Sequence, residues 1–277
     1  PATLRFGATR APGLQRNREA EGGPVDDRLR VLRVDGLDGR PRGLVVHFAA
    51  HPTILPAGNR KISAEWPGAM CDALEARYPD AIAMLLQGAL GDVAPAGVDG
   101  DGFDAMTTYG RRVAEHSIDA VEGARALPDA RLSAHAATPA LPPTIAGPLL
   151  GRSTGSALAP GERGDRPLPV VAREHPRAEA GLPPPAPPSV EFGALKVTAS
   201  GPVSALILLG APGEPTGACA AEVEAPFERL DGGDGEPAVL TVACANDHLG
   251  YFTDRGGTRR LRGVAERRRA RRRRATT

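Results

Sequence analysis

Residues 43–95 read GLVVHFAAHPTILPAGNRKISAEWPGAMCDALEARYPDAIAMLLQGALGDVAP, and this stretch decides the fold. An apolar run predicts a strand over residues 43–49, and a second apolar run predicts a buried strand over residues 81–86. Between them, the helical periodicity that follows Pro67 predicts a helix, since proline suits the first turn of a helix. The order strand, helix, strand is typical of an α/β unit.

Each of these two strands is followed by residue types that are common in functional sites. His51 follows the first strand and is biased to an extended backbone by Pro52, and Asp92 follows the second strand. Neighbouring strand ends can place such side chains together over a rigid sheet. Taken alone, His51 is either a metal ligand or a hydrogen-bonded structural histidine, and Asp92 belongs either to an oxyanion-holding turn or to a simple tight turn. We interpret His47 as a core residue or one that supports the site.

The remainder of the chain predicts more strands than helices. Residues 1–27 are turn-rich and are predicted to be irregular. Further strands are predicted at residues 29–34, 129–138, 191–199, 203–210 and 238–245, and a second helix at residues 103–126. The predicted fold is therefore α/β (α+β), with a mixed β-sheet core flanked by helices.

Two segments do not fit this pattern. Residues 140–189 are rich in Pro and Gly, which predicts a surface excursion or a disordered insert. Residues 258–277 lack apolar periodicity and are predicted to form a disordered tail.

The charge of the chain is unevenly distributed. Residues 259–274 contain ten arginines and one glutamate, so the rest of the chain is net acidic at an overall net charge of +1. An acidic body with a basic tail is not a generic nucleic-acid-binding surface.

The cysteines and the hydropathy pattern bear on the cellular compartment of the protein and on whether it spans a membrane. Cys71, Cys219 and Cys244 have no metal-type CxxC spacing, and we interpret them as buried thiols in a reducing compartment such as the cytoplasm. Secretion stays open, because the chain begins at Pro1 without an initiator Met and its sequence therefore does not test for a signal peptide. No apolar run reaches the ~20 residues of a membrane-spanning helix.

Two more side chains follow predicted strands and are candidates for chemistry. Glu214 lies in Ala211-Pro212-Gly213-Glu214-Pro215, directly after the most hydrophobic predicted strand. A carboxylate in such a rigid frame suits a metal ligand or a general base, although a solvated loop glutamate has the same pattern. Tyr251 follows the last predicted strand and either packs or directs its phenol to a site.

Five motifs occur in order along the chain. They are HPT from His51, I-S-A-E-W-P-G from Ile62, L-Q-G-A-x-G-D-x-x-P from Leu86, G-x-P-G-E-P from Gly210 and A-N-x-x-L-G-Y from Ala245. This succession resembles the neutral/alkaline (non-lysosomal) ceramidase family and its smaller bacterial relatives. The resemblance covers about residues 15–125 and 190–257.

The resemblance implies a zinc-dependent amidase in which two histidines, a glutamate and a tyrosine hold one Zn²⁺. In this chain it assigns His51, Glu214 and Tyr251 as metal ligands, and it places the other histidine in an N-terminal segment that the chain does not contain. Asp92 becomes the candidate catalytic residue, with the role of orienting the loop beside the metal. Ala94 stands where family members have a serine, which favours metal-activated water over a serine nucleophile.

The leading hypothesis is a ceramidase-like zinc-dependent hydrolase of amide C–N bonds in N-acyl compounds, sphingolipids among them. Residues 1–257 would be an incomplete catalytic domain and residues 258–277 an arginine-rich tail. The expected partner is a small-molecule N-acyl amide or lipid substrate, and the oligomeric state is not specified. The alternatives are a catalytically inactive relative with the same fold and a nucleic-acid-binding protein that acts through residues 259–274.

Overall fold

The computed structural model describes residues 1–139, 190–229 and 235–253. The predicted insert and the predicted arginine-rich tail lie outside these residues. The described helices are α1 (Glu65–Arg77), α2 (Gly102–Glu122) and α3 (Gly217–Glu228). The described strands, in chain order, are β1 (Thr3–Arg10), β2 (Gln15–Asn17), β3 (Arg28–Asp35), β4 (Pro41–Phe48), β5 (Ile82–Gln87), β6 (Val93–Pro95), β7 (Arg125–Ala126), β8 (Arg131–Ala137), β9 (Phe192–Thr198), β10 (Val203–Gly210), β11 (Glu214–Pro215), β12 (Glu236–Val242) and β13 (Tyr251–Phe252).

The strand-helix-strand unit of the opening stretch forms one edge of a five-stranded sheet, sheet 1, with the order β5-β4-β3-β1-β7. β4 and β5 run parallel, while β3 is antiparallel to both β4 and β1. Phe48 and Gln87 are paired at the ends of β4 and β5. The segments that carry His51 and Asp92 therefore leave the sheet side by side, as predicted.

A four-stranded sheet, sheet 2, has the order β12-β10-β9-β8. β10 and β12 run parallel, and β9 is antiparallel to both β10 and β8. The two sheets meet at their strand ends, where the Ala243 amide donates to the Gln87 carbonyl at 2.8 Å. Beyond these ends lie two short pairs, the antiparallel β2–β6 and the parallel β11–β13. The loops of both sheets thus converge in one region.

The main core lies between sheet 1 and the helix pair α1–α2. Phe48, Trp66 and Tyr109 are fully buried there, with Trp66 in edge-on contact with both other rings. The helices approach closely at Gly110, where an added Cβ would lie 2.6 Å from the Trp66 carbonyl oxygen. This tightly packed layer supports the end of β4, from which His51 follows.

His47 is a core residue, as predicted. It is buried within β4, where Nε2 donates to the Thr241 carbonyl at 2.8 Å and Nδ1 lies 3.5 Å from Arg30 Nη1. Burial, followed by the charge of Arg30, lowers the pKa of His47 to about 4. The neutral ring therefore joins sheet 1 to β12 of sheet 2.

The structure confirms the predicted fold class and the central strands and helices, but it corrects several boundaries. The prediction that residues 1–27 are irregular is wrong, because Thr3–Arg10 pairs with β3 along its whole length. The prediction of a helix to residue 126 is also wrong at its end. α2 ends at Glu122, and Arg125–Ala126 pairs with β1. In both cases the strand forms because it pairs with a distant strand, and local sequence patterns do not predict such pairing.

Two further predictions need correction, and one helix was missed. β5 is not a buried strand, since Ile82 is 72% and Met84 50% exposed at the edge of sheet 1. α3 is not predicted at all, because its apolar residues have no clear helical stripe, although Thr216 caps its first turn. The cysteines are thiols as expected, yet Cys71 and Cys219 are only half-buried and Cys244 is exposed. No helix in the described parts of the chain is long and apolar enough to cross a membrane.

Candidate metal centre

His51 lies just beyond β4 and is fixed from one side. Its backbone amide and its ring Nδ1 both donate to the Val93 carbonyl, at 3.2 and 2.8 Å. Its own carbonyl accepts a hydrogen bond from Trp66 Nε1 at 3.1 Å, and the residue is only 8% exposed. Nδ1 therefore carries a proton, and Nε2 is the nitrogen that faces the site.

Glu214 reaches the same place from sheet 2. It follows β10 and lies in β11, where its amide donates to the Gly250 carbonyl at 2.8 Å. Its carboxylate lies between two imidazoles, with Oε2 3.0 Å from His51 Nε2 and Oε1 2.8 Å from His248 Nε2. The fold thus brings together two predicted ligands, His51 and Glu214, that are 163 residues apart in the chain.

These contacts keep Glu214 ionised. The hydrogen bond from His51 is the largest influence on Glu214, and together with His248 it lowers the pKa to about 2, although burial acts in the opposite direction. Because Nδ1 of His51 already donates to Val93, Nε2 donates to Glu214 only when the ring carries a second proton. In the neutral ring, the lone pair of Nε2 faces the carboxylate oxygen, and this contact requires a cation between the two atoms. A proton or a metal ion satisfies this requirement, so the donor pair fits a metal.

A second group of potential metal ligands includes Glu214, whose Oε1 contacts His248. The ligand atoms of Glu214, Cys244 and His248 all lie within 4.8 Å of one another. Cys244 and His248 are exposed, so the group opens to solvent on this side. Carboxylate oxygen, thiolate sulfur and imidazole nitrogen all bind zinc, and these residues could therefore hold a metal ion.

Arg18 adds a positive charge on the His51 side. One guanidinium nitrogen donates to the Gly91 carbonyl at 2.7 Å and lies 3.3 Å from His51 Nε2. This nitrogen is close enough to interact with any group that binds at Nε2. The residue therefore belongs to the polar surroundings of the site.

Asp92 ties together the segments around the site. Its Oδ2 accepts a hydrogen bond from Asn17 Nδ2 at 2.9 Å, and its Oδ1 accepts one from the Gly217 amide at the start of α3 at 2.8 Å. Its backbone carbonyl accepts from the Arg18 amide at 2.7 Å. Both carboxylate oxygens are thus occupied by structural partners, an arrangement that suits a positioning role.

Tyr251 and Ala94 lie on the short strands β13 and β6, beside the segments that form the site. Tyr251 pairs with Glu214 in the parallel β11–β13 ladder, but the residue is 58% exposed and is not part of the His51–Glu214 contact. Ala94 is buried in β6, opposite Arg16 of β2. The structure therefore brings His51 and Glu214 into contact, places Asp92 in the adjoining turn, and leaves Tyr251 on the neighbouring strand.

Sequence reasoning did not identify Arg18, Cys244 or His248 as site residues. Cys244 and His248 lie within the CANDH segment, and this Cys-x₃-His spacing is a signal that could have marked them. The turn has an unusual backbone as well, with φ of 54° at Cys244 and 68° at Asn246. Such left-handed non-glycine residues are uncommon and occur often at functional sites, but the sequence gives no sign of them.

Two solved structures have a similar fold. One, described as a ceramidase complexed with C2, matches with a TM-score of 0.68 and 20% identity, over 92% of this chain and 48% of that chain. The other, neutral ceramidase from Pseudomonas aeruginosa, matches with a TM-score of 0.62 and 21% identity, over 92% and 47%. No protein-family model and no curated protein matches the chain. The chain spans about half the length of these ceramidases and has the fold of the part that it matches.

Proposed function

We propose that the chain is a ceramidase-like, zinc-dependent hydrolase of amide C–N bonds, with residues 1–257 belonging to its catalytic domain. The contact between His51 Nε2 and Glu214 Oε2, at 3.0 Å, carries this proposal. It lies where the loops of both sheets converge, on a fold shared with two ceramidases. Loop-borne polar groups on a rigid scaffold are the usual setting of an active site.

The chemistry of the donor pair supports zinc. His51 presents one ring nitrogen while the other donates to a backbone carbonyl, which is the usual support of a metal-bound histidine. Glu214 is ionised, and Tyr251 on the adjoining strand is the third proposed ligand. When bound, Zn²⁺ lowers the pKa of water toward ~7 and polarises a carbonyl group.

The residues around this pair have separate proposed roles. Asp92 is a positioning residue that fixes the turn beside the metal through Asn17 and the first amide of α3. Arg18 offers a fixed positive charge next to His51, suited to the carbonyl oxygen of a substrate as negative charge develops on it. Ala94 provides no nucleophile, so the proposal includes no covalent acyl intermediate on that residue.

An N-acyl amide or lipid is the proposed substrate class. Both similar structures are ceramidases, and an N-acyl amide has the carbonyl group on which the proposed site would act. His248, which contacts Glu214, is about half exposed, so we propose that the substrate approaches from its side.

Metal analysis of the purified chain tests the site assignment. We expect bound zinc in the unaltered protein and a loss of at least about tenfold in zinc affinity in His51→Ala and in Glu214→Ala. His116→Ala, which alters a half-buried histidine on α2, serves as the control and should keep its zinc. Zinc content that is unchanged in both site variants would contradict the assignment.

Activity measurements test the reaction. The chain is assayed against a panel of N-acyl amides, including ceramides, after chelation and after zinc is restored. We expect turnover that disappears with chelation and returns with Zn²⁺. Metal binding without turnover on any member of the panel would contradict the hydrolase proposal while leaving the metal site intact.

A further inference from the structure

We propose that Glu214 serves two cation sites, and that its Oε1 forms a second site with Cys244 and His248. The inference rests on the proposed function only in taking the Oε2 side, with His51, as the first site. It adds a sulfur-containing set of ligands that the resemblance does not include.

The two oxygens of Glu214 have separate partners. Oε2 contacts His51 Nε2 at 3.0 Å, and Oε1 contacts His248 Nε2 at 2.8 Å. The Cys244 sulfur lies within 4.8 Å of both the Glu214 and His248 ligand atoms. A carboxylate can bind one cation through each oxygen, as in two-metal sites.

Backbone hydrogen bonds hold the second group in place. The amides of Cys244, Ala245 and Leu249 donate to carbonyls of Gly213, Ala211 and Pro212, at 2.7, 2.9 and 2.8 Å. The loop that carries Glu214 and the loop that carries Cys244 and His248 are therefore tied together at three points. Little backbone movement is needed to bring the three ligands to one ion, which favours binding.

Charge and ligand type set the class of cation. The Arg18 guanidinium lies on the His51 side of Glu214, 3.3 Å from Nε2, and so opposes a cation there more than one at Oε1. A thiolate with an imidazole favours Zn²⁺ or Co²⁺, whereas Mg²⁺ and Ca²⁺ prefer sites made of oxygen. Three protein ligands in an exposed site leave a coordination position for solvent.

Titration of the full chain with Co²⁺ tests this inference, because a thiolate ligand gives Co²⁺ an intense near-ultraviolet charge-transfer band. We expect this band in the unaltered protein, two equivalents of bound Co²⁺, and displacement of the ion by Zn²⁺ but not by Mg²⁺. Cys244→Ser should lose the band and one equivalent, and His248→Ala should weaken the banded site by about tenfold or more. Cys71→Ser and Cys219→Ser are the matched controls and should keep the band.

His51→Ala separates this inference from the proposed function. We expect the band to persist in this variant while the other equivalent of metal is lost. A titration that shows bound metal but no thiolate band would overturn the second site and leave the His51 site standing. A band that is lost equally in His51→Ala and Cys244→Ser would overturn the separation into two sites. Far-ultraviolet circular dichroism of each variant checks that the fold is kept.

Discussion

His47 and His51 lie four residues apart, one inside β4 and the other just beyond its end, and their rings have opposite surroundings. His47 has a carbonyl acceptor at Nε2, supplied by β12 of sheet 2, and a guanidinium beside Nδ1, supplied by the neighbouring β3. His51 has a carbonyl acceptor at Nδ1 only, and its Nε2 faces the Glu214 carboxylate and Arg18. Both rings are nearly inaccessible to solvent.

The difference shows that burial alone does not identify a ligand. Burial and the charge of Arg30 favour the neutral ring of His47, and the Thr241 carbonyl and Arg30 occupy its two nitrogens. His51 is equally buried but directs one nitrogen at an anionic group shared with a second histidine. A histidine that has one fixed nitrogen and one directed at an anion is the better candidate for binding a cation.

The largest expected effect is a pH dependence of stability that His47 causes. Its pKa falls from 6.5 to about 4 on folding, so the unfolded chain gains a proton below pH 6.5 that the folded chain does not. Stability should therefore fall as the pH drops from about 6.5 to about 4, by about 3 kcal/mol from this residue. Urea unfolding across this range, in buffer without metal, measures the effect.

His47→Gln is the variant that isolates this contribution. Glutamine keeps an N–H donor for the Thr241 carbonyl and has no proton to gain. The difference in stability between the unaltered protein and His47→Gln should shrink as the pH falls, relative to its value at pH 8. A difference that stays constant from pH 8 to pH 4 would contradict a neutral, buried His47.

Gly91→Ala tests the frame that holds Glu214 against His51. A Cβ at Gly91 would lie 2.6 Å from the Glu214 carbonyl oxygen and 2.9 Å from the Pro215 carbonyl group, both of which are backbone atoms. The turn and β11 must then move apart, at a cost of about 1–3 kcal/mol in the free energy of unfolding. Because β11 carries Glu214, we also expect weaker zinc binding. Thermal unfolding and zinc titration measure the two effects.

Gly58→Ala is the matched control. An added Cβ there meets nothing within 4 Å, so the change should leave both stability and zinc affinity close to those of the unaltered protein. If Gly91→Ala lost stability but kept full zinc affinity, the spacing between the turn and β11 would not be what positions Glu214.

Much of the frame of the site follows from local patterns in the sequence. The apolar runs that become β4 and β10 predict strands because their side chains must be buried, and the strand ends place His51 and Glu214 in loops. The parallel neighbours β4 and β5 then account for Asp92 beside His51. Periodicity and turn residues are sufficient for this part because they act over a few residues.

The remaining features depend on contacts between distant segments. β1 resembles an irregular stretch until β3 pairs with it, and β5 is exposed because it lies at an edge that no local pattern specifies. His248 becomes a partner of Glu214 only because β11 and β13 pair beyond the ends of sheet 2. Arg18 reaches His51 through the pairing of β2 with β6. Such partners are set by register and topology, which a single sequence does not reveal.

Arg18→Gln gives the smallest expected effect and tests the charge beside His51. The guanidinium lies 3.3 Å from His51 Nε2, the nitrogen that is proposed to bind zinc. Its positive charge therefore opposes the binding of Zn²⁺ at this nitrogen. Its removal should raise zinc affinity severalfold while lowering turnover, because the substrate oxygen loses a positive partner. Arg16→Gln, which alters an exposed arginine two residues away, should change neither quantity. If zinc affinity instead fell in Arg18→Gln, the main role of Arg18 would be to hold His51 in place, and the availability of Nε2 would then depend on this arginine as well as on Val93.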